Sequence, residues 1–142
     1  MISIIIPAYN EEHRIERAIL EVLRYCSERA LDGDIIVVDD GSTDKTAIFA
    51  MKHKGVRCIQ NGKNMGKGYS VRRGFREARG EIILFTDADL STPINQADRL
   101  LDKIKEGFDI AIGSRALPGS KIDKYQPPLL SLIHISEPTR PY

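Results

Sequence analysis

Asp87 and Asp89 stand two residues apart at the end of an apolar run, in the stretch LFTDADL that covers residues 84–90. Residues two apart on a pleated strand share a face, so both carboxylates are expected side by side where the strand gives out. Two adjacent hard oxygen donors suit Mg²⁺ or Mn²⁺. Magnesium commonly takes one or two protein carboxylates, and substrate phosphates and water complete its shell. At an effective dielectric of about 20, a unit-charge pair ~4 Å apart is worth about 4 kcal/mol. A divalent ion would thus relieve the repulsion and attract a diphosphate together. The plainer alternative is a turn or helix cap, since Ser91-Thr92-Pro93 is a good helix start.

Three other stretches carry chemistry-bearing residues. In Pro7-Ala8-Tyr9-Asn10-Glu11, Tyr9 offers a flat face on which a base can stack, worth roughly 1–3 kcal/mol. Pro7 and Ala8 keep the loop low beneath it. Asn10 also reads as a helix N-cap, with acidic residues favoured by the helix dipole. In Val38-Asp39-Asp40-Gly41-Ser42, a carboxylate can accept the ring N–H of uracil or guanine, and Asp40 is the candidate. Asp39 and Ser42 read equally as turn formers. In Gly62-Lys63-Asn64-Met65-Gly66-Lys67-Gly68 the spacing falls one residue short of a phosphate loop, and Gly68 stands where Ser or Thr should meet magnesium. No GxGxxG follows either. A glycine-flanked helix start with Lys67 remains, friendly to anions; Lys67 is either a ligand contact or a solvated lysine. Arg72, Arg73, His13 and His53 read as surface residues.

The elements that must position these residues alternate along the chain. Strands are expected at residues 2–6 (stopped by Pro7), 34–38, 56–60, 81–86 and 108–112. Helices are expected over 15–30, 45–54, 66–79 and 92–106, with Ser42 or Thr43 capping the second and Val71, Phe75 and Ala78 on one side of the third. Strand and helix in alternation predict an α/β fold, a mostly parallel sheet with helices on both faces. Ligands of such sheets bind beyond the carboxyl ends of the strands. PAYNE, DDGS and DADL each follow a strand directly, so three separate stretches converge on one rim.

Composition narrows the partners. The 142 residues suffice for one domain with a core, and the formal net charge of +1 predicts no nucleic-acid surface. Apolar runs are far shorter than the roughly 20 residues of a membrane-spanning helix. Met1 leads into ISIIIP without the flank of a secretory signal. Two cysteines, Cys26 and Cys58, without CxxC spacing, predict core residues in a reducing, cytoplasmic setting. Pro127-Pro128 breaks the pattern. Residues 130–140 resemble a translated transposase-adaptor sequence, so 127–142 are expected to be a non-native or disordered tail after a domain spanning 1–126.

PAYNEE, VVDDGSTD, NMGKGYSVRRG, LFTDADLSTP and IGSRALPGS, in this order, resemble the family-2 inverting glycosyltransferases, in particular the branch that moves glucose from UDP-glucose to dolichyl or polyprenyl phosphate. The resemblance runs from residue 2 to about 126. It implies a Rossmann-like GT-A fold, a metal-bridged nucleotide sugar, a lipid-phosphate acceptor and peripheral contact with the cytoplasmic face of a membrane. It also implies that Pro7, Ala8, Tyr9, Glu11 and Val38 line the nucleoside pocket and that Asp40 binds the base. Asp87 would meet ribose and metal, with Ala88 beside it. Asp89 would hold the metal and thereby act in catalysis. Ser91 stands where related mannosyl-lipid synthases carry Gln, which weakens a GDP-mannose donor and leaves the role of Ser91 open. Acceptor contacts would lie beyond Gln126. Other readings are a different nucleotide-sugar donor, a non-catalytic nucleotide-sugar binding module, or a sugar-phosphate nucleotidyltransferase, which PAYNEE disfavours.

Overall fold

The computed structural model describes residues 1–113. Four strands form one parallel sheet: β1 (Ile2–Ala8), β2 (Gly33–Asp39), β3 (Val56–Gln60) and β4 (Ile82–Phe85), in the spatial order β3-β2-β1-β4. Between them run α1 (Ile15–Glu28), α2 (Thr46–Met51) and α3 (Lys67–Glu77); a 3₁₀ turn (Ile94–Gln96) and α4 (Ala97–Lys105) follow β4. The α/β architecture is the one the alternation predicts. All four strands end at the same rim.

Burial follows from this order. β1 is central and buried at every position, and Ile35–Val38 of β2 are equally enclosed. This is why both read as unbroken apolar runs rather than alternating ones. On one face Ile4, Ile6, Ile35 and Val37 meet Ile15, Ile19 and Val22 of α1, Ala50 of α2 and Ala97 of α4. On the other, Ile5, Ile36 and Val38 pack with Ile83 and Ala78, beneath α3. The α1–α4 contact is fastened by Asp98, which accepts hydrogen bonds from Tyr25 Oη (2.8 Å) and Arg29 Nε (2.7 Å). Cys26 is a free thiol in the core, and Cys58, also free, is only partly buried against it. Burial and the nearby Asp39 push the Cys58 thiol up to about 11.

Several local expectations change. β1 does not stop at Pro7 but runs through it, with Pro7 opposite Val38 and Ala8 opposite Asp39. Ala8 O accepts the Asp40 N–H on the β2 side, so Pro7 faces the β4 side, beyond the last pair Ile5–Phe85. Its missing N–H costs no ladder bond there. The inner side of α3 is Ser70 and Gly74, while Phe75 is 44% exposed. The helix lies so close that a Cβ on Gly74 would sit 2.5 Å from Ile5 Cγ2. Contact at that range selects small residues, not the bulky periodic ones. α2 and α4 are shorter than expected. Residues 108–112 form no strand; Phe108, Ile110 and Ile112 are 57%, 76% and 80% exposed. The alternation is present, but among the described residues nothing covers it. The sequence from Ser114 on, including the end of IGSRALPGS and the expected tail, lies outside the described residues.

Candidate functional site

The loops after β1 and β2 are built as one unit. Asn10 N–H donates to Ser42 Oγ (2.9 Å), and Asn10 Oδ1 accepts Thr43 N–H (2.9 Å). Glu11 N–H donates to Thr46 Oγ1 (2.8 Å), Glu12 N–H to Asp44 Oδ2 (3.0 Å), and Glu12 Oε2 accepts Lys45 N–H (3.1 Å). Asn10 thus ties two loops together rather than capping α1, which starts five residues later. It takes a left-handed φ of +54° that Asn tolerates. The side chain at the start of α2 is Asp44, whose Oδ1 accepts Thr46 N–H (2.9 Å), not Ser42 or Thr43. Burial raises the Asp44 carboxyl, but the bonds from Thr46 and Glu12 outweigh it and hold it below the ordinary range.

On this platform Tyr9 presents its ring, 45% exposed. Pro7 and Ala8, just before it, are buried at the end of β1. Glu11 holds Arg14 at 3.2 Å. Val38 is fully buried under α3, so its side chain has no surface to give a ligand. Any share it has in a pocket is that of its main chain.

Asp40 turns inward. It is 3% exposed, and its carboxylate accepts Asn61 Nδ2 (2.7 Å), Met65 N–H (2.9 Å) and Gly66 N–H (2.8 Å). Burial pushes this carboxyl up, and the bonds from Met65, Asn61, Ser70 and Gly66 more than reverse it. A carboxylate has about four lone-pair sites; three are taken here, so at most one is left for a base, on a side chain that is almost fully enclosed. Its neighbour Asp39 is also enclosed, accepting Ser42 N–H at 3.3 Å. Gly41, at φ +73°, lets the β2 loop touch the β3 loop: a Cβ there would meet the Lys63 carbonyl carbon at 2.6 Å. Asn61, whose amide also reaches Ser70 Oγ (2.9 Å), was not singled out from the sequence. Its position immediately after β3, on the same rim, was the available signal. Arg73 also departs from the surface reading: it is half-buried and donates to Gln60 O and Asn61 Oδ1. So does His53, whose Nε2 is buried without a hydrogen-bond partner, 3.7 Å from Glu16.

β4 ends at Phe85, so Asp87 and Asp89 sit in a turn rather than on a pleat. Leu90, at φ +48°, donates its N–H to Asp87 O. Ala88 is 5% exposed and points into the core between two outward acids. The turn leaves both carboxylates facing outward, though not by strand geometry. Asp89 Oδ1 accepts Ser91 N–H (2.8 Å). Asp87 Oδ1 lies 2.6 Å from Lys67 Nζ, at the first turn of α3. Lys67 is thus brought to the acidic motif. Two outward carboxylates without a third acidic, His or Cys ligand among the described residues fit a hard cation that completes its shell from substrate phosphate and water.

A parallel sheet whose carboxyl-end rim carries Tyr9, Lys67 and the D-x-D turn belongs to the open α/β domains that bind ligands beyond their strand ends. Residues 3–141 match the family described as "Glycosyl transferase family 2", and the chain belongs to it. It is 41% identical over 80% of its length to a dolichyl-phosphate beta-glucosyltransferase of Trichomonas vaginalis, covering 38% of that protein. It is 38% identical over 87% of its length to a dolichol-phosphate mannosyltransferase of Pyrococcus furiosus, covering 36%. Among solved structures, glucosyl-3-phosphoglycerate synthase from Mycobacterium tuberculosis in complex with Mn²⁺, UDP-glucose and phosphoglyceric acid is similar at 30% identity and TM-score 0.60, over 75% of this chain and 40% of that one. The mannosyltransferase of Pyrobaculum calidifontis in complex with GDP-Man and Mn²⁺ is similar at 29% identity and TM-score 0.53, over 62% and 27%. The fold is thus the GT-A glycosyltransferase fold. The chain spans about two-fifths of the length of the curated relatives it matches.

Proposed function

We propose that this chain is the nucleotide-sugar-binding part of a metal-dependent glycosyltransferase that moves a sugar, glucose from UDP-glucose, to a polyprenyl or dolichyl phosphate with inversion. One observation carries the reading: the Tyr9 shelf, the Lys67 helix start and the Asp87/Asp89 turn share the carboxyl-end rim of one parallel sheet. Tyr9 would stack the base, the Asn10–Ser42–Thr43 links keep that shelf in place, and Asp87 and Asp89 would hold Mg²⁺ or Mn²⁺. Such an ion supplies Lewis-acid neutralisation of the charge that builds on the departing nucleoside diphosphate. Asp40 contributes to the base pocket by fixing its wall.

The acceptor's chemistry agrees with the residues available. A sugar alcohol needs a general base within hydrogen-bond reach; a lipid phosphate is already ionised at neutral pH. Among the described residues no helix is long and apolar enough to cross a membrane. A lipid-phosphate acceptor itself places the reaction at a membrane face, the cytoplasmic one in this reading. The mannosyltransferase relative supports a second reading, a GDP-mannose donor. Thermal shifts with UDP, GDP and UDP-glucose, each with and without Mn²⁺, separate them. A UDP-specific, Mn²⁺-dependent rise supports the UDP-glucose reading, and a larger response to GDP favours the second. Pyrophosphate release from UTP and glucose-1-phosphate would overturn both.

A further inference from the structure

We infer that Lys67 is a built-in counter-ion that occupies the acidic motif when no donor is bound, and that it couples metal binding to donor binding. The inference rests on the proposed function and deepens it. Its basis is the 2.6 Å pair between Lys67 Nζ and Asp87 Oδ1, together with the way that lysine is held. Gly66, at φ +90°, precedes α3. Both Met65 and Gly66 give their N–H groups to the buried Asp40 carboxylate. The backbone that carries Lys67 is therefore fixed to the sheet, and only its flexible four-carbon stem is free to swing between partners. Among the described residues no lysine or arginine pairs with Asp89, which accepts the local Ser91 N–H.

The charges decide what such a lysine does. Asp87 and Asp89 alone form a doubly negative site that attracts any divalent cation. With Lys67 paired to Asp87 the site carries one net negative charge, and an arriving cation must compete with an ammonium already in contact. Once a cation is present, Lys67 is repelled from Asp87, and the diphosphate of a donor is the anion within its reach. Cation and donor then favour each other: the donor accepts the displaced lysine, and the cation frees it. Coupling of this kind is reciprocal. Lys67 is a binding residue here, not a catalytic one, since it acts on the affinities for cation and donor.

Manganese titrations of this chain read by the electron paramagnetic resonance of free Mn²⁺, with and without UDP, test the idea apart from turnover. Lys67→Met and Lys67→Gln should each bind Mn²⁺ alone about three- to ten-fold tighter than the wild type, the range for losing one screened unit-charge repulsion and an exposed ion pair. In both, the tightening that UDP gives to Mn²⁺ should shrink by a similar factor. Lys67→Arg, which keeps the charge, should behave as the wild type. Lys67 is 59% exposed at its side chain, so its substitution leaves the thermal unfolding near that of the wild type. Mn²⁺ affinity unchanged or weakened in Lys67→Met, or an unaltered response to UDP, overturns the inference while leaving the proposed function intact. Mn²⁺ binding untouched by Asp87→Asn with Asp89→Asn overturns both.

Discussion

Asp40→Asn removes the charge from a carboxylate that is 3% exposed and accepts three hydrogen bonds from the β3–α3 loop. Bonds to a charged acceptor contribute about 1.5–3 kcal/mol each, and a buried donor left unmatched adds a desolvation cost. Asn61 keeps Ser70 Oγ as a second acceptor, and the half-buried N–H groups of Met65 and Gly66 can reach water, so the low end applies. Asparagine keeps one acceptor oxygen, so the expected loss is that of about two such bonds, about 3 kcal/mol, or roughly 8 °C in Tm for a chain of this size. Urea unfolding followed by circular dichroism, with the m-value held as a check on two-state behaviour, measures it. A loss below about 1 kcal/mol together with abolished UDP binding would refute the loop-anchor role and return Asp40 to the base contact implied by the family resemblance.

Gly74→Ala places a Cβ 2.5 Å from Ile5 Cγ2 on the central strand and should cost about 1–3 kcal/mol by overpacking, read in the same urea assay; a neutral result would mean that α3 slides freely on the sheet. Gly41→Ala meets the Lys63 backbone at 2.6 Å from a left-handed φ, so it should lower both stability and Mn²⁺-dependent UDP affinity, checked by thermal shift with and without ligand. The folded chain should lose stability in acid. The carboxyls of Asp34, Asp40 and Asp44, raised by burial but lowered more by their donors, sit below the ordinary value, as does that of Asp98 beside Arg29. Groups depressed on folding stabilise above the unfolded carboxyl range near pH 4 and lose that contribution as pH falls through their folded values. Urea midpoints should therefore be flat from pH 7 to about 5 and drop below about 4; a midpoint that rises on acidification would contradict the sign.

The sheet was legible in the sequence because β1 and β2 are enclosed on both faces, and enclosed strands read as runs of Ile and Val. The rim was legible for the same reason, since a strand's end is where its apolar run meets polar residues, as at Phe85-Thr86-Asp87. What periodicity missed are contacts between distant stretches. Ser70 and Gly74 face the sheet because α3 packs too close for large residues; of the apolar side through Phe75, Ala78 reaches the core and Phe75 stays exposed. Asn10, Asp40 and Arg73 carry side chains that suit caps, ligand contacts and solvent alike. Only the fold shows that they bind neighbouring loops. Residues 108–112 have strand alternation and lack a strand for it to pair with among the described residues.

Calorimetric titration of UDP into the wild-type chain and into the Asp87→Asn, Asp89→Asn double variant, each with saturating Mn²⁺ and again with EDTA, probes whether the paired acids hold a cation against a nucleoside diphosphate. Wild-type affinity should rise at least ten-fold with Mn²⁺, a difference of about 1.4 kcal/mol, and the double variant should bind equally weakly with and without the metal. Equal metal-dependent binding by both proteins would contradict the assignment of Asp87 and Asp89.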